Sequence, residues 1–167
     1  MSIREFPRAI RLDLSSEAET QRLAKLFSAH SEAGMTLLLE GPIGAGKTTF
    51  ARALIHSLLD KIGQREDVPS PTFTLVQTYN TGPFDTWHAD LYRLGSSSEV
   101  FDLGLDIAFE EALCIIEWPD RLGDLTPVDA IKIELSLSDD DQGRSCLISG
   151  VNNRNALTSK LQCWDAA

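Results

Sequence analysis

Gly41-Pro42-Ile43-Gly44-Ala45-Gly46-Lys47-Thr48 matches the phosphate-loop pattern G-x-x-x-x-G-K-[ST] at every defined position. Its flanks decide the fold. Met35-Thr36-Leu37-Leu38-Leu39 before it is an apolar run of strand length. Ala51, Leu54, Ile55 and Leu58 after it recur at helical spacing. A strand, a tight loop and a helix in that order aim successive backbone N–H groups at one point, and the positive end of the helix adds to their field. The glycines permit close backbone approach. Lys47 has the reach for the terminal phosphates of a nucleotide, and the Thr48 hydroxyl is a hard ligand for Mg²⁺. The stretch predicts a site for a nucleoside triphosphate.

Charge and composition narrow the class around that loop. A net charge of −10, with Arg and Lys scattered, argues against direct binding of a nucleic-acid backbone, which calls for a basic surface. With 43% hydrophobic and 24% charged residues over 167 positions, the chain has the make-up of an ordinary globular domain able to build a core. Cys114, Cys146 and Cys163 are odd in number and widely spaced, so they suggest neither a disulfide framework nor a zinc site. The N-terminus mixes acids and bases with its apolar residues, and no run is long enough to span a bilayer. The expectation is a cytoplasmic protein with no membrane association.

Outward from the loop, the chain alternates between strand and helix signals. Ile10, Leu12 and Leu14 alternate as in a strand, and Ser16 with Glu19 forms a capping box for a helix through Ala33, with Gly34 as its stop. The helix after the loop is expected to end near Gly63. Val68-Pro69-Ser70-Pro71-Thr72 is held extended by its prolines, and Phe73–Tyr79 and Phe84–Leu91 read as strands around Thr81-Gly82-Pro83. Short helices are expected over Ser97–Leu103 and Ile107–Leu113, then a buried strand Cys114-Ile115-Ile116. Ala130–Leu137 and Ser145–Ser149 read as a hairpin around Asp139-Asp140-Asp141-Gln142-Gly143, and Asn155–Trp164 as a helix. The expected fold class is α/β: a single P-loop NTPase-like domain over residues 1–167, with a mixed, mostly parallel sheet flanked by helices.

Two acids and one hydroxyl are candidates to complete the site. Glu117 ends the apolar strand in Glu117-Trp118-Pro119, and strands beside a phosphate loop deliver their C-terminal ends to the phosphates, where a carboxylate can hold Mg²⁺ directly or through water. Asp90, in His88-Ala89-Asp90-Leu91-Tyr92-Arg93-Leu94, is a second candidate, with an exposed polar strand position as the competing interpretation. His88, two residues earlier, shares its face and reads as a hydrogen-bonded structural group. Thr72, between prolines and Phe73, suits either a nucleotide-sensing switch or a rigid strand entry. Asp120-x-x-Gly123 resembles a short GTPase element, but no Asn-Lys-x-Asp follows to read guanine, which favours adenine.

In combination, four stretches resemble the TsaE (YjeE) family of small bacterial P-loop ATPases, which take part in making threonylcarbamoyl-adenosine in tRNA. They are Gly44-Ala45-Gly46-Lys47-Thr48-Thr49-Phe50, Ser70-Pro71-Thr72-Phe73-Thr74-Leu75-Val76, His88 through Leu94, and Glu117-Trp118-Pro119, with Gly143-Arg144 also similar. Pro42 is a departure, since the family often carries an acid there and proline removes an N–H. The resemblance implies ATP and Mg²⁺ as cofactors. Gly41 and Gly44 through Lys47 would cradle the phosphates, with Thr49 at the helix start. Thr48 and Glu117, joined by Asp90, would hold the metal, and Lys47, Asp90 and Glu117 would form the catalytic set. Thr72, Trp118 and Arg144 would contact or sense the nucleotide. It also implies the TsaB and TsaD proteins as partners, with tRNA handled only indirectly, through their complex. A P-loop small-molecule kinase and a nucleotide-dependent binding module with incidental hydrolysis are the alternatives.

Overall fold

In a computed structural model that describes residues 9–140, 142–151 and 154–166, the phosphate loop leaves the middle of a seven-stranded sheet. The strands are β1 (Ile10–Leu14), β2 (Thr36–Glu40), β3 (Val76–Asn80), β4 (Asp85–Asp90), β5 (Leu113–Glu117), β6 (Ile131–Leu137) and β7 (Arg144–Ser149). Their order is β1-β7-β6-β2-β5-β4-β3. The inner run β6-β2-β5-β4 is parallel, and the pairs β1–β7, β7–β6 and β4–β3 are antiparallel. The helices are α1 (Glu17–Ala29), α2 (Lys47–Lys61), α3 (Glu99–Asp102), α4 (Leu105–Glu111) and α5 (Asn155–Gln162).

The central strands are buried on both faces, which explains their unbroken apolar sequences. On β2, Leu37 and Leu39 pack with α1, α2 and α5, while Leu38 packs with α3 and α4. On β5, Leu113 and Ile115 face the first layer, and Cys114 and Ile116 the second. Helix α2 buries Lys47, Phe50, Ala51, Leu54, Ile55, Leu58 and Leu59, the i, i+3, i+4 stripe of one face. Helix α1 buries Thr20, Leu23, Ala24, Phe27 and Ser28 against it, with Phe27 and Phe50 edge to face at 5.6 Å. The result is a mixed α/β fold, parallel at its centre and flanked by helices.

Some boundaries differ from the sequence expectation for local reasons. Helix α1 stops at Ala29 and not Ala33, because the side chains of His30 and Ser31 take up the Leu26 and Phe27 carbonyls and end the ladder. Phe73 to Leu75 belong to a turn and not to β3, because the Leu75 N–H bonds the Pro71 carbonyl at 2.7 Å and Leu75 takes φ +66°. Pro119–Leu125, unassigned in the sequence, winds as 3₁₀ turns that start from Pro119. Within it Asp120 pairs with Arg121 at 3.7 Å, away from the phosphate loop. Residues 1–8, on which the N-terminal expectation rested, and Asp141 of the hairpin turn lie outside the described residues. Among the described residues, no helix is long and apolar enough to cross a membrane.

The cysteines carry a first prediction. Burial pushes the thiols of Cys114 and Cys146 up to about 12, while Cys163 is exposed. Native protein is expected to react with an aromatic disulfide reagent at one thiol per chain, rising to three after unfolding. Two fast-reacting thiols in native protein would contradict the packing of the sheet.

Candidate functional site

The parallel strands β2, β4 and β5 end at one edge of the sheet, and the site is built from the residues at and just beyond those ends. After β2 the chain turns at Gly41 with φ +142°, where an added Cβ would lie 2.2 Å from the Leu135 carbonyl oxygen, so only glycine fits. Gly46, at φ +103°, caps α2 and lets Lys47 and Thr48 open the helix. The register sets Asp90 of β4 beside Glu117 of β5, and Glu117 beside Leu39 of β2. Glu117 therefore reaches the start of α2, and Asp90 lies near enough for its charge to act on Lys47.

These groups form a hydrogen-bonded constellation. The Thr48 hydroxyl donates to both Glu117 oxygens at 3.0 Å, and His88 Nε2 lies 2.8 Å from Glu117 Oε1. Thr72 Oγ1 donates to Asp90 Oδ2 at 3.2 Å, and the Tyr92 N–H donates to Asp90 Oδ1 at 3.0 Å. Lys47 Nζ donates to the carbonyls of Gly41 at 2.7 Å and Pro42 at 2.9 Å, and sits 4.3 Å from the centre of the Trp118 ring. Tyr92 packs against Trp118 with ring centres 4.9 Å apart. Lys47, Asp90 and Glu117 are all at most 5% exposed. Burial pushes the Lys47 ammonium below its ordinary value, and the charges of Glu117 and Asp90 oppose that shift.

Among the described residues, two hold left-handed backbone without being glycine, Leu75 at φ +66° and Trp118 at φ +58°, and both lie next to the site. Such a conformation costs a bulky residue about 1–2 kcal/mol and persists where its surroundings fix it. The Leu75 carbonyl accepts from the Asp90 N–H at 2.9 Å, so the turn carrying Thr72 is tied to the strand carrying Asp90. Trp118 turns the chain sharply after Glu117 and sets its indole over Lys47.

The constellation lines a cleft of about 630 Å³. Of the residues singled out in the sequence, Gly44, Gly46, Lys47, Thr48, Thr49, Thr72, Asp90, Glu117, Trp118 and Arg144 face it. Gly41 and Ala45 do not. Gly41 packs against the Leu135 carbonyl, and Ala45 packs into the core, with its N–H on the Pro42 carbonyl at 3.1 Å. Asp90 is buried at the cleft and not on an exposed strand face. Arg144, from the hairpin turn, reaches back to the Gly44 carbonyl at 3.1 Å. The sequence reading did not place Ser16, Glu17, Thr20 or Gln142 at the cleft, which they line together with Gly143. One signal was available. Thr20 is a polar residue on the stripe that buries Leu23, Ala24, Phe27 and Ser28.

A glycine loop capping a helix, with a buried Lys at its base and two carboxylates delivered by neighbouring parallel strands, defines the architecture of a P-loop protein. The comparisons make the assignment specific. A family profile described as "Threonylcarbamoyl adenosine biosynthesis protein TsaE" matches residues 14–146. The chain is 42% identical over 136 residues to the tRNA threonylcarbamoyladenosine biosynthesis protein TsaE of Rickettsia bellii, covering 81% of this chain and 92% of that one. It is 38% identical over 137 residues to the protein of that name from Bacillus subtilis, covering 81% and 82%. The crystal structure of Bacillus subtilis YdiB superposes with a TM-score of 0.77 at 30% identity, covering 96% of this chain and 99% of that one. The chain belongs to the TsaE family.

Proposed function

We propose that this protein is an Mg²⁺-dependent ATPase that drives or resets the TsaB–TsaD complex during threonylcarbamoyl-adenosine modification of tRNA. The observation that carries the reading is the convergence of Lys47, Thr48, Asp90 and Glu117 on one cleft beside the start of α2. Membership of a family of threonylcarbamoyl adenosine biosynthesis supports the pathway. The net charge of −10 supports a division of labour in which partners handle the RNA. The same reading puts the protein in the cytoplasm.

On this reading each side chain has a physical task. Lys47 would exchange the Gly41 and Pro42 carbonyls for phosphate oxygens, gaining a charge-assisted bond that offsets its burial. The amides of Gly44 and Gly46 and those opening α2, with Thr49, would face the phosphates, while Trp118 and Arg144 wall the cleft. The Thr48 hydroxyl and the carboxylates of Glu117 and Asp90 are hard oxygen donors within one constellation, a set that fits Mg²⁺. When bound, the ion would neutralise charge that develops on the phosphate oxygens. Asp90 and Glu117 would also orient the attacking water, and Thr72, bonded to Asp90, would report loss of the γ-phosphate through its turn.

The acids supply the test. Glu117→Gln keeps the size of the side chain and removes its charge, so Mg²⁺-dependent turnover is expected to fall about 10²–10³-fold while metal-free ATP binding holds. Asp90→Asn is expected to act in the same direction. Full activity of Asp90→Asn at limiting Mg²⁺ would reduce Asp90 to a structural anchor for Thr72 and Tyr92.

A further inference from the structure

We infer that His88 is a positioning residue for hydrolysis, holding the Glu117 carboxylate in the orientation that serves Mg²⁺ and the attacking water. The inference rests on the ATPase reading. His88 is 0% exposed and stands on β4 in register with Ile115, two residues before Glu117 on the same face of β5. A carboxylate only accepts hydrogen bonds, so at 2.8 Å from Oε1 it is His88 Nε2 that carries the proton and donates. The other ring nitrogen, Nδ1, is buried with no partner among the described residues.

Packing alone does not call for this side chain. An imidazole moved into an apolar layer beside Ile115 loses the hydration of two nitrogens and regains one bond, whereas leucine or phenylalanine would fill the space with no stranded polar atom. What the imidazole adds is direction. Its N–H fixes Oε1 from the interior of the sheet, while Thr48 meets both oxygens from the start of α2. The carboxylate plane is thereby set from two sides. Were Thr48 to give up Glu117 to hold a metal, the His88 bond would still fix the carboxylate. Outer partners of this kind tune ligand geometry, and losing one typically lowers metal affinity or activity about 10–100-fold.

Three full-length variants separate direction from packing. His88→Gln carries an amide nitrogen near the place of Nε2, His88→Asn carries one near Nδ1, and His88→Leu carries neither. ATP affinity with EDTA and with Mg²⁺, phosphate release and melting temperature are measured for each. Metal-free ATP affinity is expected to stay within about twofold of wild type in all three. The gain in affinity that Mg²⁺ brings, and turnover, are expected to fall about 10–100-fold in His88→Leu and His88→Asn and to return largely in His88→Gln. An intact Mg²⁺ gain in a folded His88→Leu, or equal behaviour of the Gln and Asn variants, would overturn the inference. Should the Leu variant not fold, long-range ¹⁵N–¹H spectra of the metal-free wild type still decide, with the proton on Nε2 expected and a proton on Nδ1 alone contradicting it. Wild-type protein without any Mg²⁺-linked gain in ATP affinity would instead fail the ATPase reading itself.

Discussion

Lys47→Ala is expected to weaken ATP binding about 10–100-fold and to lower hydrolysis about 10²–10³-fold, with the fold intact. The first figure comes from losing a charge-assisted hydrogen bond of about 1.5–3 kcal/mol to a buried phosphate, and the second from losing a preorganised cation where charge develops. The fold should survive because Lys47 donates to loop carbonyls and stacks on Trp118, while the apolar stripe of α2 behind it is untouched. Stability should respond to pH in a defined sense. Burial lowers the Lys47 pKa, so the unfolded chain holds that proton more tightly than the folded one. The burden is present at neutral pH and eases as pH rises through the folded value towards 10.5. Lys47→Ala should lack that alkaline gain in melting temperature. Wild-type ATP affinity and turnover in this variant would remove the loop from the account.

The second large effect concerns the partners. Alone, the protein is expected to hydrolyse ATP slowly, and the TsaB–TsaD complex is expected to accelerate phosphate release. Arg144, the arginine that lines the cleft, is bonded to the Gly44 and Gly143 carbonyls. Arg93 lies over the Phe73 ring at 4.3 Å, and Arg121 pairs with Asp120. All three are engaged by other groups of the chain. P-loop enzymes that gain such a group from a partner accelerate about 10³–10⁵-fold. Ile43, exposed in the phosphate loop, lines the cleft, and Phe73, exposed next to Thr72, adds a second apolar side chain for a partner to cover. Association and nucleotide binding should then be linked, with ATP tightening the complex about 5–150-fold and the complex tightening ATP by the same factor. Equal affinity for the complex with ATP, with ADP and without nucleotide would contradict this.

The parts of this architecture that the sequence disclosed are those carried by local pattern. The run Met35–Leu39, the glycines of the loop and the helical spacing after Lys47 each occupy one short window, and the strand, loop and helix lie where those windows put them. The apolar run ending in Glu117 is likewise a strand that stops at the cleft. The hidden parts depend on contacts between distant residues. Asp90 alternates like any strand residue, and only its register beside Glu117 buries it. Arg144 and Gly44 are far apart in sequence and meet because β7 and β6 bring the hairpin turn over the loop. Thr72 was read on an extended segment, yet the Pro71 carbonyl captures the Leu75 N–H and closes a turn that carries Thr72 to Asp90. His88 reads as a structural histidine because a pattern of alternation does not say that its hydrogen-bond partner on β5 is an acid.

The central claim is that this cleft cleaves ATP and passes the γ-phosphate to water. Its most direct test is phosphate release by the purified chain with ATP and the TsaB–TsaD complex, with and without Mg²⁺, in the absence of any acceptor alcohol. Phosphate is expected to appear only with Mg²⁺, to rise as the complex is added, and to be lost in Lys47→Ala. ATP that binds and stays intact, or phosphate transfer that begins only when an alcohol is supplied, would contradict it.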